Sequence, residues 1–341
     1  MIHIGIIGGG NISDTHARAA RDIEGVEIAA IYGLNQEKST ELGRRYGGVV
    51  YSDFETFLQH KPMDLVAIGS PSGLHAAQGI AAARRGLHVL VEKPIDVTLG
   101  RADELISECD KAGVKLGVFF QDRVAPDLLR LRELIAAGEL GKPILISARV
   151  KWYRPLEYYA GSRWRGTYAL DGGGALINQG VHTVDLLLWL MGEVTRVQAK
   201  AITAVHEIEV EDTIVATLEF SNGAIGTLEA ATSAYPGYAR RLELTGSEGT
   251  VVVEGDRIIA ADLRQSIDGL SLKGGEVLPA NATSPVVSDV SGHRRLLEDF
   301  IQAIQTNGKP RCDGREGRRS LALIEAIYES SRSGKAEFVW L

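Results

Sequence analysis

The sequence predicts an α/β chain in two parts: a doubly wound parallel sheet, then an α+β domain with a large open, mostly antiparallel sheet. Three observations carry this. Over the first 120 residues, short runs rich in Ile, Val and Leu alternate with amphipathic stretches of helical length, the pattern of βαβ units whose strands are buried on both faces. A glycine turn closes the first run, where such a unit holds its ligand. After Phe120 the strands become longer, Thr-rich and alternating, which suits antiparallel strands with one covered face.

Taken in order, strands are predicted at Ile2–Ile7, Val26–Tyr32, Leu65–Gly69, His88–Val91 and Lys115–Phe119, with helices such as Ala76–Arg85 and Leu99–Lys111 between them. Asp127–Ala137 has the spacing of an amphipathic helix, and Gly138 stops it. Strands then follow at Glu211–Phe220, Gly223–Thr232, Ala239–Thr245 and Thr250–Glu254. Ser221-Asn222-Gly223 supplies a hairpin turn between the first two of these, because Asn and Gly tolerate the left-handed backbone that tight hairpins need. Leu263–Ser291 is polar and glycine-containing and reads as irregular, and Arg294–Gln305 and Glu316–Ser331 read as closing helices. The domain boundary falls near residues 120–125, giving domains 1–122 and 123–341 with no flexible linker.

At 341 residues, 45% apolar and 24% charged, the composition is that of a globular protein and excludes collagen, long disorder and a disulfide scaffold. The formal charge of −7 is spread with both signs mixed, which argues against nucleic acid or an anionic membrane surface as main partner. No stretch approaches the length of a membrane span, and the first residues lack the basic start of a signal peptide. Cys109 and Cys312 are far apart without metal-ligand spacing, so a reduced, cytoplasmic protein with no metal is expected.

Gly8, Gly10 and Ser13 fit the G-x-G-x-x-G/A pattern between the first strand and a helix start formed by Asn11 and Ile12. Gly8 allows the tight turn, Gly10 lets the backbone approach a pyrophosphate on the helix N-terminus, and a small residue at 13 lets helix and strand pack. The acidic ribose clamp expected at the end of the second strand is absent: Gly33 stands there, followed by Asn35 and Lys38. The cofactor is therefore NAD or NADP, with the choice open.

Two further constellations suggest chemistry. Glu92-Lys93-Pro94 puts a lysine at the carboxyl end of a predicted parallel strand, where a sheet of this kind binds ligands and where an amine can act as general acid or base. Downstream, Asp171 and a triple glycine precede Asn178, His182 and Asp185. In a helix, Asn178 and His182 share a face, and Asp185 could orient the imidazole. The plainer readings are a surface lysine and a core histidine; the triple glycine and the lysine together favour a site.

Together, Gly8-x-Gly10-x-x-Ser13, Ser70-Pro71-Ser72-Gly73-Leu74-His75, Glu92-Lys93-Pro94 and Gly-Gly-Gly-x-x-x-Asn178-x-x-x-His182-x-x-Asp185 resemble, in order and spacing, the Gfo/Idh/MocA oxidoreductases, the family of glucose–fructose oxidoreductase and inositol dehydrogenase. The resemblance covers nearly the whole chain. It implies an N-terminal Rossmann domain, a C-terminal α/β domain, and NAD(P)-dependent oxidation or reduction of a sugar, sugar acid or cyclitol carbon. It implies Lys93 as the central acid/base residue and His182 as the second catalytic residue, with Ser70, Pro71, Leu74, His75 and Glu92 lining the cofactor. One position departs: inositol-dehydrogenase-like members carry Asp where this chain has Asn178. An amide cannot take a proton but can hold a hydroxyl by donating and accepting hydrogen bonds, so Asn178 is expected to bind substrate.

The segment Lys151–Arg165 packs five aromatic and four basic residues into fifteen positions. Aromatic faces stack on sugar rings and Arg grips carboxylates or phosphates. Tyr153, Arg154, Trp164 and Arg165 are thus expected in the substrate pocket, with an acidic sugar worth testing. Two other classes compete with a dehydrogenase: a glycoside-cleaving, lyase-like enzyme that oxidises its sugar transiently, and a nucleotide-binding sensor without turnover. The outer face of Asp212–Phe220 carries Thr213, Val215, Thr217 and Glu219; this mixed face and the family resemblance point to a homodimer or homotetramer.

Overall fold

The computed structural model describes residues 1–265 and 289–340. The chain divides into two compact units, Met1–Gln121 with Val286–Arg318, and Asp122–Pro285 with Arg319–Leu341.

The first unit is a parallel sheet of β1 (Ile2–Ile7), β2 (Val26–Tyr32), β3 (Val49–Tyr51), β4 (Leu65–Ile68), β5 (His88–Val91) and β6 (Leu116–Val118), in the order β3-β2-β1-β4-β5-β6. Helices α1 (Asn11–Arg21), α2 (Gln36–Tyr46), α3 (Phe54–Leu58), α4 (His75–Ala83) and α5 (Leu99–Ala112) make the crossovers. This is the Rossmann order, and its ligand crevice lies where the order reverses, outside the carboxyl ends of β1 and β4. The predicted strands are found within a residue or two. The short edge strand β3 has no residue in the deep core and left no apolar run to read. The helix α9 (Ser291–Gln305) returns to pack on α1, so this late segment completes the first unit.

The second unit is an eight-stranded sheet. Its strands are β7 (Pro143–Lys151), β8 (Val194–Ile202), β9 (Thr213–Phe220), β10 (Ile225–Ala231), β11 (Arg241–Gly246), β12 (Gly249–Glu254), β13 (Arg257–Leu263) and β14 (Glu337–Phe338), in the order β13-β12-β11-β7-β10-β9-β8-β14. All pairs are antiparallel except β7 with β10. The predicted hairpin joins β9 and β10, with Gly223 at φ +85° and Asn222 Oδ1 accepting from the Ala224 N–H. Along β9, Ile214, Ala216, Leu218 and Phe220 are buried while Val215, Thr217 and Glu219 face outward. The helix α6 (Pro126–Ala136) stops two residues before Gly138 (φ +80°). A short helix α7 (Leu156–Ala160) follows β7, α8 (Val181–Met191) packs on β7, and α10 (Gly314–Ser333) comes near the end of the chain. Nine of the eleven residues of α8 are buried, which explains its nearly all-apolar sequence.

Two expectations change. The segment read as irregular from Leu263 to Ser291 begins inside β13 and ends inside α9; residues 266–288 lie outside the described residues. The helix expected to hold Asn178 and His182 together is two elements, a π-turn at Ala175–Gly180 and then α8. No helix among the described residues is long and apolar enough to cross a membrane.

Candidate active site

The carboxyl edge of the parallel sheet gathers most residues named for the cofactor. Gly8 leaves β1 at φ +124°, and a Cβ there would lie 2.5 Å from Ser13 Oγ and 2.7 Å from Gly69 O. Ser13 is fully buried, so only a small side chain fits beneath the turn. Gly10 begins α1 with ordinary extended angles, and a Cβ there would meet no atom within 4 Å. The open space beside Gly10 and the helix N-terminus behind it fit a pyrophosphate, as the motif requires.

At the end of β2 a Cβ on Gly33 would fall 2.5 Å from Ser39 Oγ and 3.2 Å from Gly8 C and Gly9 N. Close packing against the glycine turn is therefore why no acidic residue stands at Gly33. Asn35 caps α2, its side chain accepting from the Lys38 N–H at 3.0 Å, and Leu34, Asn35 and Lys38 are exposed. After β4, the Ser70 hydroxyl donates to Gln78 Oε1 at 2.6 Å, and Pro71 caps a short turn at Ser72–Leu74. His75 is buried, with Nδ1 2.8 Å from Pro94 O and Nε2 2.9 Å from Ser70 O. It ties the turn after β4 to the one after β5. Burial pushes its pKa below the ordinary histidine value although both ring nitrogens face carbonyl oxygens.

Lys93 follows β5 and is half-buried, and its N–H donates to Glu92 Oε2 at 3.1 Å. Glu92 is itself buried against two histidines that no local sequence pattern singles out: His16 Nε2 lies 3.0 Å and His293 Nε2 3.5 Å from Glu92 Oε1. Burial alone would raise the carboxyl, but the hydrogen bonds and charges of His16 and His293 outweigh it and hold Glu92 well below the usual carboxylate range. Burial pushes His16 down, and its ring stacks on Phe119 at 4.4 Å between centroids. These three side chains are the group of described residues able to converge on a metal ion. The 3.0 Å contact is a hydrogen-bond distance, and the group meets Lys93 through Glu92, which accepts the Lys93 N–H.

In the second unit, the triple glycine is explained by its protein neighbours. Gly172 has φ +82°, a Cβ on Gly173 would sit 2.3 Å from the Tyr328 hydroxyl, and one on Gly174 would sit 1.7 Å from Glu211 O. Glu211 accepts from the N–H groups of Gly174 and Leu176 at 2.9 and 2.8 Å and from the Tyr328 hydroxyl at 2.9 Å. Burial raises the pKa of both Glu211 and Tyr328. The turn so pinned carries Asn178, whose amide donates to Asp171 Oδ1 at 2.5 Å and accepts from Gln179 Nε2 at 2.9 Å. An aspartate at 178 would face Asp171 with like charge; the amide donates to it instead.

Gln179 extends the network to the basic-aromatic segment. Its Oε1 accepts from Arg154 at 3.0 Å and its amide donates to the Tyr158 hydroxyl at 3.0 Å. The guanidinium of Arg165 lies 4.4 Å from the Tyr158 ring centroid and 4.9 Å from that of Trp164, and Arg154 covers Trp152 and Tyr158 at 5.2 and 5.5 Å. Tyr153 packs edge-on against Tyr235 at 5.2 Å. Asn178, Tyr153, Arg154, Trp164 and Arg165 thus fall in one region. Tyr158 and Gln179, which sequence reasoning did not select, are its hubs. Arg154 is 2% exposed and serves the region from beneath; His206 Nε2 stands 2.8 Å from its carbonyl, and Asp212, lowered to about 2 by backbone N–H donors that outweigh its burial, fixes His206.

His182 projects from the first turn of α8 and keeps 12% of its side chain exposed. Asp185, expected to orient the imidazole, is gripped by Arg123 in two hydrogen bonds of 2.8 and 2.6 Å. The carboxylate facing His182 Nδ1 is that of Asp122, at 3.9 Å.

Residues 2–120 match the oxidoreductase family with an NAD-binding Rossmann fold, and residues 128–252 match the GFO/IDH/MocA C-terminal domain. The rhizopine catabolism protein MocA of Rhizobium meliloti is 30% identical over 96% of this chain and 94% of its own. The chain belongs to the GFO/IDH/MocA family. Like its relatives, this GFO/IDH/MocA protein is an NAD(P)-dependent oxidoreductase. It is also similar to myo-inositol 2-dehydrogenase of Thermotoga maritima, at 28% identity over 99% of both chains. Among solved structures, the WlbA dehydrogenase of Bordetella pertussis, in complex with NADH and UDP-GlcNAcA, superposes with a TM-score of 0.90 at 33% identity, covering 100% of this chain and 98% of the other.

Proposed function

We propose that this oxidoreductase moves a hydride between nicotinamide and a carbinol carbon of an acidic sugar, with Lys93 and His182 managing the hydroxyl proton. The observation that carries the acidic preference is Arg165, half-buried across Tyr158 and Trp164 with no carboxylate partner among the described residues. A guanidinium stacked on two rings and lacking an anion is arranged to receive one. The likeness to a dehydrogenase solved with UDP-GlcNAcA supports the same choice.

When bound, the nicotinamide supplies the hydride acceptor or donor. The chain supplies the rest. Gly8, Gly10 and the start of α1 hold the dinucleotide pyrophosphate, and Ser70 and Pro71 form the wall of the crevice after β4. Lys93 takes the hydroxyl proton as the carbonyl forms and returns it in the reverse direction; His182 is the second proton-handling residue. Asn178 holds a neighbouring hydroxyl, and Arg165 with Tyr153 and Trp164 selects the sugar. The buried thiols Cys109, pushed up to about 12 mainly by burial, and Cys312 suit a reducing cytoplasm.

The test is a screen of neutral and acidic sugars, UDP-N-acetylglucosaminuronic acid among them, read at the reduced-nicotinamide absorbance. Net cofactor reduction with an acidic sugar supports the reading. Cleavage of a glycoside without net reduction, or tight cofactor binding without any turnover, refutes it. Lys93→Met is expected to keep the fold and cofactor affinity and to lose about 10²–10⁴ in kcat; near-normal turnover removes the lysine from the mechanism.

The exposed outer face of the second sheet, with Val215, Ile225 and Leu145 half-exposed, supports a two-fold homodimer or a dimer of dimers. Sedimentation at micromolar concentration tests this. A single species near 36.8 kDa refutes it, and Thr217→Lys is expected to weaken the assembly.

A further inference from the structure

We propose that Asp122, held in place by Arg240, is the positioning residue of His182, fixing its ring and tuning its proton affinity. This rests on His182 being the proton-handling residue proposed above. Asp122 opens the chain of the second unit, and its Oδ2 faces both Arg240 and His182. Arg240 binds this oxygen directly, and His182 Nδ1 stands 3.9 Å from it. Arg240 is 8% exposed and is itself tied down, since its Nε and a terminal nitrogen both donate to Gly255 O, at 3.2 and 2.5 Å, while the Gly255 N–H donates back to Arg240 O at 2.8 Å. The carboxylate therefore has little freedom to leave the imidazole.

A separation of 3.9 Å is too long for a hydrogen bond but close for a charge interaction in a shielded place. Catalytic hydrogen bonds in ligand-free proteins are often long and tighten on binding. One turn further along α8, the other carboxylate, Asp185, is already neutralised by Arg123. Asp122 stands next to His182 and Arg240 next to Asp122, so two charges of opposite sign act on the imidazole from this side: the carboxylate favours the protonated ring and the guanidinium disfavours it.

That opposition gives a test that simple structural support does not pass. The titration of His182 is followed by NMR in the full-length, histidine-labelled protein, its signal assigned by loss in His182→Gln. In Asp122→Asn, which leaves Arg240 uncompensated, the midpoint is expected to fall by about one pH unit. In Arg240→Gln it is expected to rise. Midpoints that stay put, or that move in the same direction in both variants, overturn the proposal. If Asp122→Asn does not fold, the Arg240 variant decides by the sign of its shift. Turnover is read separately: His182→Gln with full activity defeats the proton role of His182, whereas an inactive His182→Gln with unmoved midpoints defeats only the role of Asp122.

Discussion

Gly10 in the first unit and Gly174 in the second each stand just before a helical segment that carries site residues. A methyl group added at Gly10 meets nothing within 4 Å, while one added at Gly174 falls 1.7 Å from Glu211 O. Similar sequence signals, glycine runs before helices, thus answer to different demands. The first turn is kept bare for something outside the chain; the second is bare because the chain itself fills the space. A glycine run announces close approach, and only its surroundings say by what.

The largest effect that could break this contrast is at Gly174. Gly174→Ala is expected to destabilise the protein by about 3 kcal/mol or more, because the clash is with main chain that Tyr328 and Glu211 hold fixed. Denaturant unfolding reads it, and a wild-type midpoint would show that the turn has room after all. Gly10→Val is expected to do the reverse. The backbone there is extended and the side chain enters open space, so stability should change by less than about 1 kcal/mol. Dinucleotide affinity should fall about a hundredfold, roughly 2.7 kcal/mol. Unchanged affinity would mean that the space beside Gly10 is not where the pyrophosphate lies.

The sequence showed the first unit more fully than the second for a physical reason. Strands buried for most of their length on both faces, such as β1, β2 and β5, appear as nearly continuous apolar runs and were located at their ends. In the second unit, β7 and β8 carry many exposed positions, Ile144, Leu145 and Ile202 among them, and their mixed composition hid them. The same holds for the site. Lys93 and His182 sit in recognisable strings, but their companions are distant in sequence. His293 reaches Glu92 from α9, and Arg240 reaches Asp122 across 118 positions. No local pattern marks such partners. Asp185 misled because spacing along a helix shows which residues share a face, not which of them a distant arginine has already engaged.

The two units also differ in how they should respond to acid. In the first, burial lowers the pKa of His16 and His75 below 6.5. Both rings take up a proton less readily in the fold than in the unfolded chain, so the stability they supply is full above pH 6.5 and is lost as pH falls toward their lowered values. Glu92, also lowered, adds a loss that begins near pH 4.5. In the second unit, Glu211 is raised by burial, so acid relieves a buried charge there and stability rises as the group protonates. Between pH 7 and 5 a net loss is expected, and it is expected to come from the first unit. Hydrogen exchange at pH 7 and pH 5 reads it by region: protection should fall in β1, β4 and β5 before β9 and β10. The opposite order would contradict the assignment of these charges.

The smallest effect concerns cofactor choice. An acidic clamp at Gly33 is blocked by Ser39 and by the glycine turn itself, so Gly33→Asp would disturb packing as well as charge. Asn35 offers a cleaner place. It is exposed, it lies two residues past the tight spot, and its side chain already accepts the Lys38 N–H as a helix cap. Aspartate caps a helix as well as asparagine does, and a negative charge at a helix N-terminus is favourable, so Asn35→Asp should leave the melting temperature unchanged. The added charge would stand near the 2′ position of the adenosine ribose if the dinucleotide lies over the turn as Gly10 suggests. Repulsion from a 2′-phosphate, screened at this exposed site, should weaken NADP binding about fivefold, roughly 1 kcal/mol, and leave NAD within twofold. Titration of both cofactors against wild type and variant reads the ratio. A ratio that does not move would place the ribose away from the β2–α2 turn, and with it the geometry that makes Gly10 the open end of this comparison.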